Sequence, residues 1–220
     1  GLFRDGPHTA AGLFRPRSRI AAHELVGRLN PEAYSAAHIA DSKTLAASGL
    51  SLRRLDELVG APINNSIRNV TNALGAPDGE VPMFRPADIR GLWANVETAP
   101  RLPRSFEEQH AKSRVLPGDL VLGIAGTIGV AGRVPPTIPF GNINGSSARV
   151  RPLPEVRGYL TVFFNTALGR RLLTRWAVGA VQKHLNLEDL PGILIPVADP
   201  ETLTTLNGWI TSAERAVIAA

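Results

Sequence analysis

The chain has 220 residues, of which 44% are hydrophobic and 20% charged; this is enough for one substantial core and close to the globular average. It contains no cysteine, which excludes disulfides and thiolate zinc sites and suggests a cytoplasmic setting. No apolar run approaches the roughly 20 residues of a membrane-spanning helix. The net charge of +5 is compatible with nucleic-acid binding, but an arginine-rich composition is equally typical of a GC-rich genome.

The N-terminal part of the chain is predicted to be loosely organised. Residues 1–44 are interpreted as an arm or linker, with a short helix expected near Pro31–Ile39. A helix is predicted over Ser51–Val59, because Ser51 can cap it and four apolar residues share one face. The polar stretch Asn64–Asn72 is interpreted as a loop or a weak helix.

Short strands are predicted in the middle of the chain, where glycine and proline interrupt apolar runs. The turn Gly126–Gly129 separates two of them as a hairpin. The predicted strands are Val81–Phe84, Gly91–Val96, Asp119–Ile124, Ile128–Val134 and Ala148–Arg151.

The pattern becomes helical after Pro154. An apolar stripe from Leu160 to Trp176 predicts a helical stretch that ends at Gly179. Asn186 is predicted to cap a short helical turn, and Ile193–Pro196 is predicted to be a buried strand.

A final helix is predicted from Pro200, with Asp199 as its N-cap. It carries apolar residues at heptad spacing. Such a seam can pack on its own domain, but its place at the end of the sequence favours a second helix as its partner. The residues of this partner-helix seam are Leu203, Leu206, Ile210, Ala213 and Val217.

No catalytic or metal-binding constellation is evident. The glycines of Gly123–Gly129 lack both the dinucleotide turn and the lysine of a P-loop. The segment Asn30–Tyr34 departs from the Asn-Pro-Pro-Tyr signature of adenine methyltransferases, and the five histidines never fall at metal-ligand spacing. We therefore expect a binding module with no catalytic residue and no metal.

Four motifs, in this order along the chain, resemble the target-recognition domain of type I restriction-modification specificity subunits. They are LPGDLVLGIAGTIG (116–129), YLTVFFNTALGRRLL (159–173), GAVQKHLNLEDLPGILIP (179–196) and the terminal helix Pro200–Ala219. Each motif alone is weak, but their order and spacing are specific. The segment RLNPEAY (28–34) also looks like the lead-in to such domains, which are found fused to adenine-specific DNA methyltransferases as well.

Specificity subunits of that family usually carry two recognition domains and two long helices, whereas this chain has one domain and one helix. The chain is therefore expected to be a half-subunit, a fragment or part of a fused enzyme. The resemblance implies an N-terminal arm (1–44), a recognition domain (45–198) and the start of a dimerisation or spacer helix (199–220).

The resemblance implies an α/β (α+β) fold with a curved, mostly antiparallel sheet flanked by helices and a long coiled-coil-type helix at the end. The implied partners are double-stranded DNA, a DNA methyltransferase subunit or domain, and a restriction/translocase subunit. The chain itself needs no cofactor, since S-adenosylmethionine would be held by the methyltransferase. The alternative is a protein-interaction or assembly module with no specific DNA readout.

Candidate DNA contacts lie in or beside the predicted loops, where recognition groups usually sit. Arginines would hold phosphates, and polar side chains would bind base edges; the asparagines of Gly141–Ser147 suit adenine. Gln182 in such a motif more often orders a backbone turn. The candidates are Arg85, Arg90, Lys112, Arg114, Thr127, Arg133, Asn142, Asn144, Ser146, Ser147, Gln182, Lys183 and His184.

Overall fold

A computed structural model of the chain describes residues 31–65, 79–179 and 182–219. Its helices are α1 (Ala36–Ala47), α2 (Arg104–Gln109), α3 (Arg157–Phe163), α4 (Ala167–Thr174) and α5 (Pro200–Ala219). Its strands are β1 (Ser51–Arg54), β2 (Asn64–Asn65), β3 (Val81–Phe84), β4 (Ile89–Arg90), β5 (Trp93–Ala94), β6 (Arg101–Leu102), β7 (Leu120–Gly123), β8 (Ala131–Arg133), β9 (Asn142–Ile143), β10 (Ser147–Val150) and β11 (Leu194–Val197).

The largest sheet of the described residues has six strands in the order β2-β10-β7-β8-β5-β4. Its pairings are antiparallel except that between β5 and β8. A three-stranded sheet has the order β6-β3-β9, and β1 pairs antiparallel with β11. This architecture confirms the predicted α/β fold class with mostly antiparallel strands and a long final helix.

The six-stranded sheet is covered on both faces, which explains why its central strand is apolar throughout. Leu120 and Leu122 of β7 pack in the main core with α3 and α4, whose Leu160 and Leu173 are fully buried. Val121 points the other way, into a second apolar cluster. A strand buried on both faces loses the alternation of apolar and polar residues that marks a half-exposed strand.

The predicted strands are confirmed as elements, but most are shorter than predicted. Gly91–Val96 contributes only the two residues of β5, and Ile128–Val134 only the three of β8. Helix α2 and strands β4, β6 and β9 were not predicted, and Asn64–Asn65, interpreted as part of a loop or weak helix, forms strand β2. The part of Asn64–Asn72 beyond residue 65 lies outside the described residues.

The helix predicted over Ser51–Val59 is wrong. Ser51–Arg54 forms β1, paired with β11 in the register Ser51↔Val197, and Leu55–Leu58 forms a short 3-10 turn. Both Leu55 and Leu58 are fully buried. A 3-10 turn also places residues i and i+3 on one side, so this leucine spacing fits both structures and the strand pairing decides between them.

The described part of the predicted arm packs on the domain. The predicted boundary between residues 44 and 45 falls inside α1, and Asp41 of this helix binds Arg171 of α4 in a two-pronged ion pair with distances of 2.7 and 2.8 Å. The Arg171 side chain lowers the pKa of Asp41 chiefly by its hydrogen bond. Arg175 donates to the Ala33 carbonyl and to the Ser42 hydroxyl. Residues 1–30 of the predicted arm lie outside the described residues.

Helix α5 is fixed against α3. The side chain of Asn207 accepts from the Gly158 amide and donates to the Glu155 carbonyl at 2.7 Å. A Cβ at Gly158 would lie 2.7 Å from the Cα of Asn207, so only glycine permits this close approach. At the start of α5, Asp199 accepts from the Thr202 amide as the predicted N-cap. None of the described helices is long and apolar enough to cross a membrane.

Candidate nucleic-acid interface

Three loops meet at one end of the six-stranded sheet and enclose a cleft of about 460 Å³. They follow β7, precede β10 and precede β11, and Asn65 at the end of β2 adds a further wall. We call this the loop cleft; its walls include Asn65, Ile124, Gly145, His184, Asn186 and Glu188. Its volume is in the range of ~300–1,000 Å³ that is typical of ligand sites.

Backbone hydrogen bonds hold the three loops together. The Ser146 carbonyl accepts from the amides of Ile124 and Ala125, and the Ile124 carbonyl accepts from the Leu185 amide. His184 exchanges two backbone hydrogen bonds of 2.8 Å with Val178. Because the bonds use main-chain atoms, the side chains on these loops are presented from a fixed frame.

The hairpin loop between β7 and β8 depends on glycine. A Cβ at Gly123 would collide with the carbonyl oxygen of Thr127, so the loop could not fold back on its own strand. Gly126 and Gly129 have φ of 70° and 79°, a conformation that side chains disfavour. The predicted hairpin function of these glycines is therefore confirmed.

Four polar side chains of the loop cleft have no hydrogen-bond or ion-pair partner among the described residues: Asn65, His184, Asn186 and Glu188. The predicted helical turn is present at Leu187–Gly192, but Asn186 makes no capping hydrogen bond, so its predicted capping function is wrong. Asn186 lines the cleft instead. Of these four, only His184 was a sequence candidate, since a lone Asn before a helical turn usually indicates a cap.

The asparagines of Gly141–Ser147 are engaged within the fold. Asn142 is 1% exposed; its amide nitrogen donates to the His110 carbonyl and its oxygen accepts from the Ile143 amide. Asn144 accepts from the Ser146 amide and from the hydroxyl of the fully buried Ser147. These contacts stabilise the turn between β9 and β10, and base contact by Asn142, Asn144 or Ser147 stays a prediction that burial and bonding disfavour.

Three candidate arginines are ion-paired with carboxylates, and two of these carboxylates, Asp88 and Glu107, are buried. Arg85 binds Asp88, Arg114 binds Glu107, and Arg133 binds Glu214 of α5 at 2.7 Å. Desolvation lowers the pKa of Arg133, whose side chain is 5% exposed, and the hydrogen bond that Arg133 donates to Glu214 opposes that shift. The hydrogen bond to Glu107 raises the pKa of Arg114. These pairs neutralise the charge that a phosphate contact would use, so phosphate binding by the three arginines stays a prediction.

The remaining candidates are more accessible. Arg90 is exposed and donates to the carbonyls of Ala87 and Ile89. Around the loop cleft, the structure brings together Thr127 on the hairpin, the half-buried Ser146 on the second loop and the exposed residues of the third. The exposed candidates are Arg90, Lys112, Thr127, Gln182, Lys183 and His184.

The predicted partner-helix seam is partly covered by the domain itself. Leu203 and Leu206 pack against the main core, and Ile210 is 4% exposed. Ala213 is half-buried, and Val217 is 39% exposed. The alternative of packing on its own domain therefore holds for the first three positions, because Gly158 lets α3 approach this face of α5. On other sides of α5, Trp209 is 66% and Ile218 59% exposed.

No protein-family model matches the sequence. A curated relative, the type I restriction enzyme EcoBI specificity subunit of Escherichia coli, is 26% identical over 125 residues, which are 55% of this chain and 26% of the relative. The matched segment thus spans only about a quarter of the length of that relative.

Solved structures with a similar fold come from the same kind of system. The type I restriction-modification S subunit from M. genitalium has a TM-score of 0.51 and 13% identity, covering 76% of this chain and 40% of that one. The HsdS subunit from Thermoanaerobacter tengcongensis has a TM-score of 0.51 and 17% identity, and the match covers 82% of this chain and 44% of that subunit. A chain from a structure of type I R-M complex assembly and conformational transition has a TM-score of 0.54 and 18% identity, covering 78% and 40%.

At these identities the solved structures establish the fold, and the curated relative adds similarity in sequence. The order of motifs in the chain had predicted the same relationship. In sequence and in fold, this chain resembles the target-recognition domain of type I restriction-modification specificity subunits.

Proposed function

We propose that this chain is a sequence-specific recognition module for duplex DNA in a restriction-modification or phage-defence methyltransferase system of the cytoplasm. It directs a partner or fused adenine methyltransferase to its site. The observation that carries this proposal is the loop cleft. Its polar side chains have no partner in the part of the chain that the structure describes, its loops are braced by backbone hydrogen bonds, and its fold is similar to that of specificity subunits.

The proposed division of labour follows from the side chains. Exposed cations such as Lys112 and Arg170 fix the domain on the phosphates, and the polar groups of the loop cleft bind the bases. Methyl transfer belongs to the methyltransferase, which holds S-adenosylmethionine. Among the described residues no cluster of His, Asp or Glu could hold a metal ion. The chain is therefore proposed to be non-catalytic.

Assembly with the methyltransferase is proposed to use the outer surface of α5. Trp209 and Ile218 are large apolar side chains in contact with solvent, and tryptophan is enriched at the energetic centres of interfaces. A restriction/translocase subunit is a further proposed partner of the same assembly.

Selection from randomised duplexes tests this function. The chain assembled with its methyltransferase should enrich one defined sequence, and binding should fall steeply with salt because bound phosphates release counterions. Recovery of random DNA alone would contradict the proposal. Weak salt dependence, together with retained binding of the methyltransferase, would favour the alternative of an assembly module.

A further inference from the structure

We propose that the loop cleft recognises a DNA base that carries an exocyclic amino group, cytosine or adenine, with Asn186 and Glu188 as the residues that specify it. This inference rests on the proposed function and goes beyond it, since it assigns base recognition to two residues outside the sequence-based candidates.

Asn186 occupies an N-cap position and leaves it unused. An asparagine there ordinarily accepts a hydrogen bond from a backbone amide and stabilises the helical turn by about 1 kcal/mol. Here no such bond forms, although the backbone carbonyl of Asn186 accepts from the Asp189 amide. The side-chain amide therefore keeps a donor and an acceptor for a ligand, the pair that matches an adenine edge.

Glu188 places a carboxylate in the same cleft without an ion-pair partner among the described residues. A carboxylate is repelled by the phosphates of DNA and accepts hydrogen bonds only. Its favourable contact with a base is an amino group, as when glutamate accepts from cytosine N4. Its charge thus penalises DNA in general, and the amino group offsets that penalty at the matching base alone.

The remaining lining fits a base better than a phosphate. Apolar Ile124 and Leu187 flank the polar groups, and no lysine or arginine is among the described residues that line the cleft. Among those residues, Glu188 would repel a phosphate and no cation would compensate. The same chemistry would serve a base edge in the major groove and a base extruded from the stack, which apolar side chains commonly contact.

The test uses the full chain assembled with its methyltransferase and compares wild type, Asn186→Ala and Glu188→Gln in selection from random duplexes. Wild type should enrich a sequence with cytosine or adenine fixed at one position. Each variant should relax or change that position, with a loss of about 10- to 100-fold in preference for the original base. Glu188→Gln should also bind unrelated DNA more tightly, because it removes a negative charge. Glu97→Gln, an exposed glutamate outside the cleft, is the matched control.

Replacing the selected base by an analogue without its amino group completes a double-mutant cycle. Wild type should lose affinity on 2-pyrimidinone or purine, whereas Glu188→Gln should lose little further. 2-Aminopurine placed directly beside the selected base separates the two sources of the base, since its fluorescence rises when its neighbour leaves the stack. An unchanged sequence preference in both variants would overturn this inference and leave the proposed function intact. Failure of the wild type to enrich any sequence would instead contradict the proposed function.

Discussion

Two polar stretches, Gly141–Ser147 and Gln182–Glu188, differ in what the fold does with their side chains. In the first, Asn142 and Asn144 bond to the backbone and hold a turn. In the second, Asn186 and Glu188 have no partner among the described residues and face a cleft. Polar composition therefore does not identify a binding loop, because nearby backbone groups decide whether an amide is engaged or available for a ligand.

Helix α5 likewise has residues that the fold covers and residues that it leaves exposed. Substituting the covered ones gives the largest expected effect on stability. The double variant Leu206→Asp plus Ile210→Asp should lose its cooperative melting transition. Each such side chain stabilises the fold by ~1.5–3 kcal/mol, and buried charges add to the loss, against a total stability of ~5–15 kcal/mol. The matched control is Val217→Asp plus Ile218→Asp on the exposed part of α5, which should melt normally. If instead the first variant melts like wild type and loses only its partner, the seam predicted from the sequence is correct.

A variant of Arg114 tests whether this candidate arginine stabilises the fold or contacts DNA. Arg114→Gln leaves the Glu107 carboxylate, which is 0% exposed, without its cation. We expect a loss of roughly 3 kcal/mol in unfolding free energy, at the lower end for a broken buried pair because solvent reaches Arg114. Arg170→Gln should leave stability unchanged and reduce the slope of log affinity against log salt by about one. Denaturant titration and salt-dependent DNA binding measure the two; a DNA-binding defect in Arg114→Gln at full stability would contradict the assignment.

A variant of Asn142 tests the contacts of the stretch Gly141–Ser147, and its expected effect on stability is of intermediate size. Asn142→Ala removes the donor to the His110 carbonyl and should lower the unfolding free energy by ~1–3 kcal/mol, with the selected DNA sequence unchanged. Thermal melting and duplex selection are the two measurements. A variant that stays fully stable and changes its selected sequence would place Asn142 among the base contacts.

Asn186 gives the smallest expected effect on stability. Since its side chain makes no capping bond, Asn186→Ala should change the unfolding free energy by less than about 0.5 kcal/mol. Glu97→Gln again serves as the control. A loss near 1 kcal/mol, the usual value of an N-cap, would show that the side chain caps the turn in solution and would remove the contrast between the two stretches.

Sequence patterns alone determined the elements whose signals are local. Asp199 and Pro200 mark the start of α5, the glycines around residue 126 mark a hairpin, and the apolar stripe after Pro154 marks α3 and α4. These signals arise within one turn or one strand, so a short window contains them. The order of motifs also predicted the resemblance that the comparisons confirm.

The tertiary structure decided what depends on residues far apart in the chain. Ser51–Arg54 is a strand because β11 lies beside it, and the seam of α5 is covered because Gly158 lets α3 approach. Polar side chains divided in the same way: Arg133 pairs with Glu214, which lies 81 positions away in the sequence, whereas Asn65 and Asn186 come together at the cleft. For Arg133 and Asn142, engagement depends on a carboxylate or carbonyl from a distant part of the sequence that the fold brings within hydrogen-bonding distance, and no local pattern carries that information.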